Sequence, residues 1–413
     1  MSLADSIKAS LPKNKEYTVF HWQSKPRDTH PLVTKQRATT VKVEHFISLA
    51  HNEKVFYALE IFVYITLFEN HTEQLLFVSK ADTNGQNESK VSIQMVTRSI
   101  IEHLLRIPVL NYLHDIIPKS ASSVRYVKDA INRLTPTKEA LRILLQRHLG
   151  QLSTPEQIKP YTITQYQPKI VTKIALFTRS EPQYLFPSSS DNPSKHILDG
   201  EGLLKWWLRT LDPIVSTQFD ECGAYLRIPA EDDKIIRRYL SQMTSNWSIG
   251  DMFGGVDDDV AVFKVPLFPD DPKTRFLEHL CVESRIKKVT VRQFWEELQI
   301  RQEFRLGAVV SVIGIEGSLT PGKGKEGGLI CSHKQLKRLK NFITGEDFHD
   351  EEGALESYRN IVNYLELNQT LEYLKGLTTK GQYVKPPVAM PARTTPTVGV
   401  NVLTTLVRKK QKK

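Results

Sequence analysis

The sequence predicts an α/β fold: one large sheet domain with helices packed around it, and a lobe built by the helices after residue 275. Three observations carry this expectation. Val55 to Phe68 (VFYALEIFVYITLF) is almost continuously apolar, β-branched or aromatic, the composition of one buried strand or of two short ones. Ile93, Val96, Ile100, Leu104 and Ile107 then recur at helical spacing and form one apolar face. From Arg275 onward helical patterns prevail.

In chain order, Asn70 to Gln74 breaks the first apolar run and Leu75 to Ser79 (LLFVS) resumes it, so the two segments read as a hairpin. The polar turn Asp82-Thr83-Asn84-Gly85 leads into the helix beginning near Ile93, a junction that presents backbone amides to a ligand. Residues 114–170 read as an insertion, partly mobile and suited to docking, with an amphipathic helix over Ala140 to Leu149 between Pro136 and Gly150. Lys173 to Arg179 is strand-like and runs into Gln183-Tyr184-Leu185-Phe186-Pro187. A polar loop from Ser188 to Lys195 then delivers His196-Ile197-Leu198 and a helix carrying Lys205, Trp206 and Trp207. Val260 to Val265 alternates in part and ends in Pro266-Leu267-Phe268-Pro269-Asp270-Asp271-Pro272-Lys273, where prolines stiffen a loop around two carboxylates. Thr290 caps a helix over Val291 to Glu303, a Gly/Lys-rich loop spans Gly317 to Gly328, and further helices cover 333–343 and 352–375. The domain is expected over 1–376, followed by a flexible basic tail over 377–413.

Composition excludes several classes. At 40% apolar and 25% charged residues, disordered and fibrous chains are poor readings. Cys222, Cys281 and Cys331 lie far apart, against a disulfide scaffold and in keeping with a reducing compartment. No run approaches the roughly 20 apolar residues of a membrane span, and Met1 to Lys15 lacks a secretory core, so a soluble intracellular protein is expected. The formal charge of +10 attracts anions without choosing between DNA, an acidic protein and a phosphorylated cofactor. The terminal Arg408 to Lys413 suits nuclear import, an acidic partner, or plain solubility. GxxxxGK[ST] and HExxH are absent, and the histidines, His148, His196 and His279 among them, form no compact cluster, so no metal is expected.

The remaining candidates are aromatic and acidic. Asp82, Tyr184, Trp206, Trp207 and Asp270-Asp271 are the residue types that line a channel for a lysine side chain, with aromatic faces for its methylenes and carboxylates for its tip. Two adjacent aspartates sharing a site would raise one pKa and give a proton acceptor. Each piece also has a plainer reading: the tryptophans as core, Asp82 to Gly85 as a turn, Asp270-Asp271 as a solvated turn, Lys273 as an exposed lysine, and Gly322 to Gly328 as a surface loop.

Together, Phe77 to Gly85 (FVSKADTNG), Tyr184 to Pro187 (YLFP), Lys195 to Leu198 (KHIL), Leu204 to Trp207 (LKWW) and Pro266 to Lys273 (PLFPDDPK) resemble the fungal family of chaperone-dependent histone H3 lysine acetyltransferases, the regulator of Ty transposition type. The resemblance implies a central mixed β-sheet surrounded by helices, like the core of metazoan coactivator acetyltransferases, with acetyl-CoA in a cleft. Ala81, Asp82 and Thr83 would line the acetyl site, and Lys90, Val91, Ser92, Ile93 and Gln94 would hold the phosphates. Phe177, Glu181, His196, Ile197, Leu198 and Trp206 would complete the cofactor wall, with the Glu181 carboxylate turned away or in water. Asp82, Tyr184, Trp207 and Asp271 would surround the substrate lysine, with Asp270 in support and Asp271 as proton acceptor. Lys273 would become acetylated and then buried.

The same resemblance implies a nuclear enzyme acting on an H3–H4 dimer. One histone chaperone would present the histones, and a nucleosome-assembly-family chaperone would bind tightly. The products would be a core-domain lysine of H3 and some tail lysines, acetylated during replication-coupled nucleosome assembly. Two other accounts compete: a non-catalytic histone- or chaperone-binding scaffold that keeps the fold, and a basic DNA-binding protein.

Overall fold

The apolar run at Val55 lies in the middle of an antiparallel meander. β1 (Glu16–Ser24), β3 (Thr39–His51), β4 (Lys54–Leu67) and β5 (Thr72–Thr83) pair in succession, with β2 (Arg27–Thr29) as a short ribbon on β3. Asn52 and Glu53 both take positive φ between β3 and β4, the conformation that lets a two-residue turn follow the strand twist. Every interior residue of β4 is buried, so the run is one strand covered on both faces.

The chain then crosses over through α2 (Ile93–Leu105) to β6 (Ile170–Thr178), which lies parallel to β5. The sheet continues through β9 (Ser311–Leu319), β7 (Phe219–Arg227) and β8 (Trp247–Ile249). At the other end it finishes with β10 (Leu329–Cys331) parallel to β1, and with β11 (Thr378–Lys380) antiparallel to it. Among the described residues all eleven strands join this one mixed sheet. This computed structural model describes the chain except residues 1, 35, 119–158, 230, 301–308, 320–327, 371–372, 374–377 and 385–413.

Helices cover both faces. On one, α2 and α3 (Gly200–Gln218) pack Ile100, Leu104, Leu204, Trp207 and Leu211 against Ile61, Val63, Leu76, Val78, Ile174 and Leu176. On the other, α7 (His333–Thr344) and α8 (Glu352–Leu367) bury Leu339, Ile343, Ile361 and Leu365 against Phe20, Trp22 and Phe46. Also on this second face, Phe268 stacks on Phe77 at 4.1 Å. α5 (Pro272–Val282) and α6 (Val291–Gln299) share a small core of Phe276, Leu280, Phe294 and Trp295, which is the expected helical lobe. The helices α1 (Leu3–Ile7) and α4 (Asp233–Leu240) are short.

Some expected boundaries move. Val260 to Val265 forms no strand: Ala261–Phe263 is a 3-10 turn whose apolar side chains face α5 and α6. Thr290 caps α6 through a reciprocal box with Gln293. α8 ends at Leu367, eight residues short of the expected 375, where Gln369 takes positive φ. The compact unit runs Met1–Tyr383, past the expected boundary at 376, because β11 pairs with β1 and Tyr383 exchanges backbone hydrogen bonds with Leu11 and Lys13. The helix expected over Ala140 to Leu149, most of the 114–170 insertion and the basic tail lie outside the described residues. Among the described residues no helix is long and apolar enough to cross a membrane.

Candidate active site

β5 and β6 pair side by side only as far as Val78 and Leu176. Beyond that point β5 continues along β4 to Thr83, whereas the chain leaves β6 at Thr178. The space between them is a cleft of about 560 Å³. Its walls are Ala81 to Thr83 from β5, Lys90, Val91 and Ile93 at the start of α2, Ser180 to Pro182 and Tyr184 after β6, Ser194 to Leu198, and Leu203, Trp206 and Trp207 from α3.

A β-bulge aims the first wall. Val78 pairs with Ile61 and Lys80 with Glu60, leaving Ser79 as an extra residue on β5. Ala81 therefore turns to the α2/α3 face, and Asp82 to the face where Leu185 and Phe186 pack. There its carboxylate is saturated. One oxygen accepts the backbone N–H of Tyr184 at 2.7 Å, of Leu185 at 2.9 Å and of Phe186 at 3.3 Å. The other accepts the N–H of Thr83 at 2.8 Å and the Lys195 ammonium at 2.9 Å. Gly85, with φ of 93°, lies so close to the returning chain that a Cβ would sit 2.9 Å from the Lys195 nitrogen.

The remaining walls follow from local rules. Ser92 caps α2 through the Met95 N–H, and the unpaired amides at such a start, with Lys90 next to them, attract anions. Asp199 caps α3 through Gly202 and sets that helix so that Trp206 and Trp207 meet edge to face at 4.8 Å on the cleft. Tyr184 stays 37% exposed. Burial, then the nearby Glu181, push its phenol well above the ordinary value, so it remains a hydrogen-bond donor at neutral pH. The Glu181 carboxylate borders the cleft and pairs with Arg179 at 2.8 Å, in half-exposed surroundings.

Not every expected residue reaches the cleft. Ser92, Gln94, Phe177, Asp270, Asp271 and Lys273 are not among the residues lining it. The two aspartates do not share a site, as the idea of a raised pKa requires. Asp270 pairs with Lys80 at 2.9 Å, which holds its carboxyl below the usual range. Asp271 caps α5 through the Lys273 N–H at 2.9 Å, and its other oxygen meets the Lys273 ammonium at 2.6 Å. That lysine is 3% exposed, with Phe177 beneath it at 5.0 Å, and the Asp271 carboxylate offsets the desolvation of its ammonium. Sequence reasoning also passed over Lys195, quoted in a motif but given no role, and the cleft residues Tyr57, Asn87 and Leu203.

The profile of the histone acetyltransferase KAT11-type domain matches residues 3–364. The histone acetyltransferase RTT109 of Candida albicans is 32% identical over 355 residues, 82% of this chain and 94% of that protein. The chain belongs to the KAT11-type histone acetyltransferases. Two further relatives of the same name match less of their own length: that of Aspergillus flavus at 26% identity over 76% of this chain and 56% of the relative, and that of Schizosaccharomyces pombe at 32% over 43% and 45%. The crystal structure of Rtt109 from Aspergillus fumigatus superposes with a TM-score of 0.65 at 21% identity, covering 93% of this chain and all of that one, a likeness of fold. A KAT11-type enzyme transfers an acetyl group from acetyl-CoA to histone lysines. The cleft has the features this chemistry asks for: a cationic, amide-bearing end at Lys90 and α2, and an aromatic end at Tyr184, Trp206 and Trp207.

Proposed function

We propose that the enzyme acetylates histone H3 on a core-domain lysine and on some tail lysines, using the cleft at the end of β5 for both substrates. The observation that supports this is the meeting of Ala81 to Thr83, Lys90, His196 to Leu198, Tyr184, Trp206 and Trp207 on one cavity, although they come from five separate stretches of sequence. Lys90 and the start of α2 take the phosphates of acetyl-CoA, and His196 to Leu198 with Trp206 flank its acyl arm. Trp207 and Tyr184 guide the lysine methylenes toward Ala81.

A lysine amine with a free pKa of about 10.4 must first lose a proton. Water in the open cleft takes it, since the Asp82 oxygens are all engaged and Asp271 does not line the cleft. The neutral amine then attacks the thioester carbonyl, and the oxygen takes up negative charge. The C–S bond breaks as the carbonyl re-forms, and the proton lost from nitrogen passes through solvent to the departing thiolate, giving the amide and free thiol. The Tyr184 hydroxyl, kept protonated, is a donor near that charge. Asp270 and Asp271 act through the position of their loop, and Lys273 is the self-acetylated residue that sets it.

Further parts of the proposal are that the enzyme is nuclear and serves replication-coupled nucleosome assembly. One histone chaperone presents H3–H4, and a tightly bound nucleosome-assembly-family chaperone docks on the insertion after residue 114. Incubating the protein and acetyl-CoA with H3–H4, with and without chaperones, and mapping acetyl-lysines by mass spectrometry tests the substrate and the chaperone stimulation. Core-lysine acetylation raised by chaperones is expected. Acetylation confined to other histones, or equal yields without chaperones, rejects the corresponding part.

A further inference from the structure

Lys195 stands at the rim of the cleft, yet its side chain is only 5% exposed. A buried ammonium is costly unless it is paired, and this one has two partners: the Asp82 carboxylate at 2.9 Å and the Ser189 hydroxyl at 2.8 Å. Both partners grip the same segment. Asp82 holds the amides of Tyr184, Leu185 and Phe186, and the Ser189 hydroxyl donates to the Phe186 carbonyl at 2.6 Å. The loop that carries Tyr184 is thereby tied at both ends to one ammonium.

We infer that Lys195 is a positioning residue for acetyl transfer: its charge lets the Asp82 carboxylate stay buried, and through Asp82 and Ser189 it fixes where Tyr184 stands beside the reacting groups. The acetyl-CoA phosphates are held elsewhere, at Lys90 and the start of α2. Loss of Lys195 should therefore disturb turnover and the lysine substrate while leaving cofactor affinity nearly intact. This rests on reading the cleft as the site of both substrates.

The test compares Lys195→Met, similar in length but uncharged, with Lys195→Arg, measuring kcat, histone KM and acetyl-CoA affinity by calorimetry. Lys195→Met should lower kcat at least about tenfold with acetyl-CoA Kd within about threefold, and Lys195→Arg should recover most of the loss. A kcat for Lys195→Met within about twofold of the parent overturns the inference. So does a parallel fall of kcat, acetyl-CoA affinity and thermal midpoint, which marks a residue needed only for folding. If Lys195→Met does not fold, the Asp82→Asn/Lys195→Met pair, which removes both charges, decides. Folded protein with low kcat supports the inference, and folded protein with parental kcat, or no folded protein even here, overturns it. Ile197→Glu, an exposed cleft residue, separates the underlying reading: if acetyl-CoA affinity ignores it, the cleft assignment fails whatever Lys195 does.

Discussion

Among the described residues, two buried lysine–aspartate pairs lie in or beside the cleft region, and they are built differently. Lys195 and Asp82 are separated by 113 residues, and the carboxylate also collects amides from a third segment. Lys273 and Asp271 are two residues apart, within one loop and the first turn of α5. The first pair is a knot through which β5, the loop after β6 and the approach to α3 are held together. The second lies within one loop and one helix turn, with the Phe177 ring of β6 against its lysine at 5.0 Å. A long-range pair thus borders the cleft, while a local pair braces the start of one helix.

Breaking the knot should have the largest effect. Asp82→Ala leaves the Lys195 ammonium and four amides without their acceptor, and should cost about 5 kcal/mol, the upper range for a broken buried pair, with activity lost. Urea unfolding measures it, and a loss below that of Lys273→Met would reverse the ranking. Lys273→Met should cost about 3 kcal/mol, because its partner, once unpaired, can be relieved by movement of one loop. Adding Asp271→Asn should return more than half of that loss, a recovery a double-mutant cycle reads directly.

Gly85→Ala sharpens the comparison from the backbone side. With φ of 93° and the Lys195 nitrogen 2.9 Å from the new Cβ, about 1–3 kcal/mol should be lost and the Lys195 loop displaced. An unchanged melting temperature and unchanged acetyl-CoA binding would show that the approach is not constrained.

The smallest effect belongs to Lys80→Met, which frees Asp270. Because Lys80 lowers the Asp270 pKa, that carboxyl contributes stability above its ordinary value of 3.8, and the contribution disappears as pH falls through the lowered folded value. The variant should therefore show a flatter acid limb in a stability–pH curve, with amides of residues 184–186 still protected. An acid limb identical to the parent's would remove the pair from the account.

Elements with a repeating apolar pattern were legible: β4, α2, α3 and the Thr290-capped α6 all follow from spacing and caps. β3 was not, because Lys42, Glu44 and His45 interrupt its apolar residues. Glu44 is accommodated by Lys340, almost 300 residues later, which no local window reveals. The cleft residues were identified through family motifs, whereas their physical arrangement was not. Alternation along Val78 to Thr83 says nothing of the extra Ser79, and Asp270-Asp271 reads as a paired carboxylate site until Lys80 and Lys273 are seen to divide it. Sequence shows which side chains are unusual. The partner that neutralises each one depends on chain segments meeting in three dimensions.

The bulge at Ser79 makes the site depend on parity. An odd number of residues added to or removed from the stretch between Val78 and Asp82 exchanges inside for outside, presenting the carboxylate to the helices and Ala81 to the far face. A pair of residues leaves the orientation unchanged. Tolerance to single-residue deletions here should therefore be nil even where every individual substitution is accepted, and a second compensating deletion on β5 is the change that would restore the arrangement.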